Sequence, residues 1–125
     1  MEQKPNKRTL KRSFRSAQSG FFYLIQSHRH FLIEILFSGL AVALGLILQI
    51  SLEEWFVIFI LILFGLVIEM LNTSIEELGN AITTDFNPEI KRAKDIAGAA
   101  VLLFVIFSVA IAGFIFLPKF FIFNP

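Results

Sequence analysis

The chain has 125 residues and a mass of 14.2 kDa, and with 56% hydrophobic residues and a mean hydropathy of +0.75 it is excluded from the ordinary soluble domains and placed in a bilayer. Eleven basic residues against 10 acidic ones leave a formal net charge of +1, so nothing in the overall charge points to nucleic acid. The absence of cysteine removes disulfides, thiolate zinc sites, iron–sulfur clusters and thiol nucleophiles, which leaves oxygen and imidazole as the only metal ligands.

Residues 1–30 carry Lys4, Lys7, Arg8, Lys11, Arg12, Arg15 and Arg29 against a single acid, Glu2. They contain no continuous apolar run and so do not read as a secretory signal. Leu10, Phe14, Ala17, Phe21, Leu24 and His28 recur at alternating spacings of four and three, with Lys11, Arg12, Arg15 and Gln18 elsewhere. This pattern predicts a basic arm and an amphipathic helix lying on an anionic membrane surface, in preference to a soluble arm or a helix packed on partners.

Three apolar runs follow. Phe31 to Ile50 is long enough to cross about 30 Å of hydrocarbon, with Glu34 and Gln49 its only strongly polar members. The Ser51 to Glu54 turn leads to a second run, Trp55 to Leu71, whose only charge is Glu69 and whose Trp55 suits the interface. The third, Ile96 to Leu117, has no charge in 22 residues and is closed by Pro118 and Lys119. Basic residues in the arm and at Lys91, Arg92 and Lys94 put both on the cytoplasmic side, an N-in, C-out topology against which Lys119 alone argues. Ala41 and Gly45, Ala93 and Ala97, and Ser108 and Ala112 are spaced for close helix packing. Glu34 and Glu69 need shelter that three helices give poorly, which favours a homo-oligomer.

The second run leaves the hydrocarbon through Glu69-Met-Leu-Asn72-Thr73-Ser-Ile-Glu76-Glu-Leu-Gly-Asn80. At helical spacing Asn72, Thr73, Glu76 and Asn80 lie within about 60° of Glu69 around the helix, forming a polar stripe. Glu69 then sits near the lipid boundary, and Glu76 lies about 10 Å further towards water. Such a depth profile suits a reaction between a membrane-bound acceptor and a water-soluble donor, and phosphoryl transfer fits it. Glu69 would take the acceptor's proton, a second carboxylate would hold Mg²⁺, and Asn72 would orient either partner. Lys94 would contact nucleotide phosphates and Asp95 a ribose hydroxyl or a metal-bound water. The competing explanation is a noncatalytic oligomer, channel-like or an interaction subunit, that uses the stripe for packing or ion passage.

Several motifs are absent: the Gly-x-x-x-x-Gly-Lys-Ser/Thr loop, the Gly-x-Gly-x-x-Gly turn and the His-Glu-x-x-His pair, so soluble nucleotide-binding folds are excluded. His28 and His30 point differently on a helix and do not make a paired histidine site. Asn72-Thr73-Ser74 matches a glycosylation sequon only by coincidence, at a membrane helix end.

The segment Glu69-Met-Leu-Asn72-Thr-Ser-Ile-Glu76, followed by Arg92-Ala-Lys94-Asp95-Ile-Ala-Gly-Ala-Ala, resembles the signature of the prokaryotic diacylglycerol kinase and undecaprenol kinase family. Ser13-Phe14, Ala17 and Gly20 and the three-span layout extend the likeness over most of the chain. The resemblance implies an all-α integral membrane protein, with an N-terminal surface helix (1–30), a three-span kinase domain (31–117, with a cytoplasmic connection at about 80–95) and a short tail (118–125), assembled as a homotrimer in the bacterial cytoplasmic membrane. It implies transfer of the γ-phosphoryl group of ATP, with Mg²⁺, to the hydroxyl of diacylglycerol or undecaprenol. Carried over by position, Glu69 is the general base and Asn72 belongs to the catalytic helix. Glu76 is the metal carboxylate, Lys94 and Asp95 contact ATP, and Asp85, Phe86 and Asn87 fall where the connection touches nucleotide. Arg12 and Arg15 would lie beside the lipid-entry side. The chain has His28 where the family often has glutamate, a position at the metal, and Asn80 where it usually has aspartate. Imidazole is a poorer Mg²⁺ ligand than carboxylate. Either Glu76 with ATP oxygens suffices, Glu34 contributes, the metal preference differs, or the chain is an inactive homologue.

Overall fold

The computed structural model describes residues 10–123, which form α1 (Leu10–Ser27), α2 (Arg29–Ile47), α3 (Leu52–Ile82) and α4 (Pro88–Phe123). The basic residues Lys4, Lys7 and Arg8 of the arm and the last two residues of the tail lie outside the described range. Helices α2, α3 and α4 are long and apolar enough to cross a membrane. With 31 and 36 residues, α3 and α4 rise about 46 and 54 Å, so each extends well beyond a hydrocarbon layer of about 30 Å.

Hydropathy therefore marks the lipid-embedded part of each helix and not its ends. The first run reaches Ile50, but α2 stops at Ile47, because Gln49 takes a left-handed conformation (φ 51°) and Ile50 N–H bonds back to Gly45 O at 3.1 Å. Helix α3 starts on a capping box: Ser51 Oγ accepts from Glu54 N–H at 3.3 Å, and Ser51 N–H donates to Glu54 Oε2 at 2.6 Å. Helix α4 starts eight residues before the third apolar run, with Asn87 Oδ1 accepting from Glu89 and Ile90 N–H at 2.9 and 3.2 Å and Pro88 in the first turn. The connection expected over about 80–95 thus shrinks to Thr83–Asn87. At the far end α4 continues through Pro118 instead of stopping there.

Helix α3 is the central element, packed on α4 along one side and α2 along the other. At the Ser51–Glu54 end, Leu48, Ile50, Ile58 and Ile115 form a buried cluster, with Trp55 against it and stacked on Phe59 at 5.3 Å. Gly45 lets Trp55 approach: a Cβ there would lie 2.8 Å from the indole Cη2. Lys119 Nζ meets Glu54 Oε2 at 2.9 Å, joining the end of α4 to the start of α3. The hydrogen bond from Lys119, with that from Ser51 N–H, holds the Glu54 carboxyl below the ordinary carboxylate range.

At the opposite end α1 meets α2 at a corner, where Leu24 and Phe31 are buried and the Phe21 ring stands edge-on to Phe31 at 5.6 Å. The predicted stripe included His28, but α1 ends at Ser27, and His28 lies between the helices as the extended N-cap residue of α2. Leu10 and Phe14, at the other end of α1, are exposed at 90% and 67%.

Candidate active site

The α3 stripe sits where the helix leaves the apolar bundle. Glu69 and Thr73 retain only 7% and 3% of their accessible surface, and Asn72 is half-buried with its Oδ1 unpartnered. One and two turns on, Glu76 and Asn80 are exposed. The step from shelter to solvent follows helix pitch, since each turn carries the stripe about 5.4 Å along the axis. Helix α2 brings Glu34 to the same level: the carboxylate lies over Gly65, where a Cβ would overlap Glu34 Oε1 and approach Phe104 Cε1 to 2.9 Å. Below Glu34 an apolar groove of about 670 Å³ runs between α2 and α4, its polar members being Glu34, Ser38 and Ser108.

Helix α4 supplies the basic side. Lys94 Nζ donates to Asn80 Oδ1 at 2.6 Å, linking α4 to the end of the stripe. Lys91 and Asp95 pair at 2.5 Å and Arg92 and Glu89 at 3.4 Å, both exposed and within the helix, so neither contributes much to stability. Asp85 N–H donates to Thr83 Oγ1 at 3.0 Å, Phe86 is 80% exposed, and the Asn87 side-chain oxygen caps α4. The Asp85 to Asn87 segment thus lies in the link between the end of α3 and the start of α4, a few residues before Lys94.

The structure brings together Glu69, Asn72 and Glu76 on one face, and Lys94 with Asn80. It pairs His28 differently from the sequence expectation: His28 Nε2 lies 3.3 Å from Glu77 Oε1, with the Tyr23 ring edge-on at 5.4 Å. Among the described residues, no group of three histidine or acidic side chains is arranged to hold a metal ion. The donors near the stripe are nevertheless hard oxygens, the exposed Glu76 carboxylate and the unpartnered Asn72 Oδ1. This suits a Mg²⁺ ion that takes one or two carboxylates and completes its shell from phosphate and water.

Sequence reasoning missed Glu77 and Gly79. Glu77 lies off the stripe, and nothing in one dimension links it to His28. Gly79 carried a usable signal, an isolated glycine inside a helical pattern, which marks a close approach. A Cβ there would sit 2.6 Å from Lys94 Cε and 2.9 Å from Ile90 Cγ2.

The sequence model of the family described as prokaryotic diacylglycerol kinase matches residues 15–116. An undecaprenol kinase of Bacillus subtilis is 34% identical over 122 residues, covering 95% of this chain and 99% of that protein. Two diacylglycerol kinases of Helicobacter pylori are each 38% identical over 60 residues, 48% of this chain. With the family signature on the sheltered-to-exposed face of α3 and the match spanning all three apolar helices, the chain belongs to the prokaryotic diacylglycerol kinase family.

Proposed function

We propose that the chain is an ATP-dependent membrane lipid kinase that moves the γ-phosphoryl group of ATP to the hydroxyl of a membrane lipid, with undecaprenol and diacylglycerol as the two acceptor classes. The observation that carries this reading is one helix face on which a buried carboxylate, Glu69, stands two turns from an exposed one, Glu76. A lipid hydroxyl reaches the first from the bilayer, and a water-soluble triphosphate reaches the second. Near full-length similarity to a protein named undecaprenol kinase puts the polyprenol first among acceptors to test.

In this mechanism Glu69 accepts the hydroxyl proton as the acceptor oxygen bonds to the γ-phosphorus. The bond from that phosphorus to the β–γ bridging oxygen breaks, and ADP leaves with the electron pair. Asn72, with a free Oδ1, orients the acceptor hydroxyl or the γ-phosphoryl group. Lys94 and Asp95 bind the nucleotide, with Asp85, Phe86 and Asn87 at its outer edge. A divalent cation, Mg²⁺ by family kinship, would be held by Glu76 with His28 as a subsidiary ligand and would neutralise charge on the triphosphate.

The same reading makes the protein a homotrimer in the bacterial cytoplasmic membrane, with N-terminus and active site on the cytoplasmic side and α1 lying on the surface. Support comes from the exposed apolar faces of every spanning helix. Further support is the engagement of Lys119 by Glu54, which removes the one basic residue that argued against this orientation.

The test is phosphate transfer from labelled ATP by the detergent-purified chain with Mg²⁺, offering each lipid in turn, beside Glu69→Gln. Transfer to at least one lipid is expected, with a loss of about 10²-fold or more in the variant while its oligomeric state is kept. Folded, oligomeric protein that phosphorylates neither lipid would refute the reading.

A further inference from the structure

Three basic residues stand in the first two turns of α4, and they are partnered in two different ways. Lys91 and Arg92 each face an acid of their own helix, Asp95 and Glu89. Lys94 crosses instead to α3, where its ammonium donates to an amide oxygen, Asn80 Oδ1, at 2.6 Å. Among the described residues Lys94 makes no ion pair. The lysine stem passes over Gly79, and a Cβ at that position would fill the space its Cε occupies.

We infer that Gly79 and Asn80 form a neutral cradle that positions Lys94 for the nucleotide triphosphate without neutralising it; this rests on the kinase reading above. A lysine has a long stem with many rotamers, and ordering it on binding costs affinity. A stem already seated over Gly79 and tied at its tip loses less freedom when the phosphate arrives. The acceptor's chemistry matters as much as its place. An amide oxygen engages one of the three ammonium protons and leaves two donors and the whole positive charge for phosphate oxygens. A carboxylate at position 80 would seat the same stem but cancel that charge. Gly79 and Asn80 are thus positioning residues that act through Lys94, and an asparagine at position 80, where an aspartate would cancel the charge, strengthens the grip on the triphosphate.

The experiment measures equilibrium binding of a non-hydrolysable ATP analogue with Mg²⁺ to the full chain in detergent, together with KM for ATP and KM for lipid. The variants are Asn80→Asp, Asn80→Leu and Gly79→Ala, each confirmed by its oligomeric elution. Asn80→Asp, a near-isosteric change at an exposed position, is expected to weaken analogue binding by on the order of tenfold, with KM for ATP rising more than KM for lipid. Asn80→Leu frees the ammonium and Gly79→Ala displaces the stem, and each should weaken binding by about threefold or more with the cation retained. Unchanged affinity in Asn80→Asp overturns the charge argument, and unchanged affinity in both other variants overturns the cradle. An unaltered chain that binds no nucleotide overturns the cradle and the kinase reading together. Binding without transfer to either lipid overturns the lipid-kinase reading alone, and the cradle is then judged on the analogue affinities.

Discussion

Gly45 differs from Gly39, on the same helix α2, in what stands over its Cα atom. A methyl group at Gly45 would lie 2.8 Å from the Trp55 ring and 3.0 Å from Ile50 Cδ1, whereas nothing comes within 4 Å at Gly39. The indole is rigid and packed against Phe59, so it cannot swing aside as a lysine tip can. We predict that Gly45→Ala lowers stability by about 1–3 kcal/mol through overpacking, while Gly39→Ala changes it by no more than about 1 kcal/mol. Thermal unfolding in one detergent compares the two directly, and equal effects would show that the contact with Trp55 carries no weight. At this scale the sequence was legible where a residue's meaning is local. The small-residue spacing of Ala41 and Gly45 anticipated a close approach, and Gly45 is buried at one. The partner was not legible, because Trp55 is brought there by a turn that Gln49 makes in a conformation its side chain does not favour.

At the scale of elements, the three apolar helices and the polar stripe of α3 could be read because apolar run length and helical spacing are properties of one segment. Helix ends and cross-helix pairs could not. Helix α3 runs to Ile82, well past the last of the hydrocarbon, since Glu76, Glu77 and Leu78 are good helix formers and Ile90 and Lys94 of α4 pack over Gly79. The pair of His28 and Glu77 belongs to this class: the two groups lie 3.3 Å apart between the α1–α2 corner and α3, without hydrogen-bond geometry, and their nearness depends on where two helices meet. His28→Glu would set two carboxylates side by side at that corner, and adding Glu77→His would restore unlike partners in reversed order. The single variant is expected to lose on the order of 0.5–1 kcal/mol of thermal stability, and the double variant to recover most of it. A double variant no more stable than the single would mean that the pair does not hold the corner.

For the whole molecule, one chain leaves most of its apolar surface uncovered. Leu36, Phe64, Leu103 and Phe107 are all exposed. Lipid and neighbouring chains can both cover such side chains, and the trimer proposed above assigns part of this surface to contacts between chains. Light scattering of the detergent-solubilised protein, corrected for bound detergent, should return the mass of three chains. A mass of one or two chains would sink the trimer and require the site to be complete within fewer subunits. Assembly was the least legible level of all, because a lone span reads the same whether lipid or protein covers it.

The unbroken course of α3 from Leu52 to Ile82 also fixes where the chain tolerates a change in length. One residue inserted between Glu69 and Glu76 would turn the second carboxylate about 100° away from the first and lift it about 1.5 Å, dividing the two carboxylates between different faces. The same insertion in Thr83–Asn87 would leave every helix face as it is. The five-residue link absorbs insertions, while α3 acts as a ruler whose graduations are single residues.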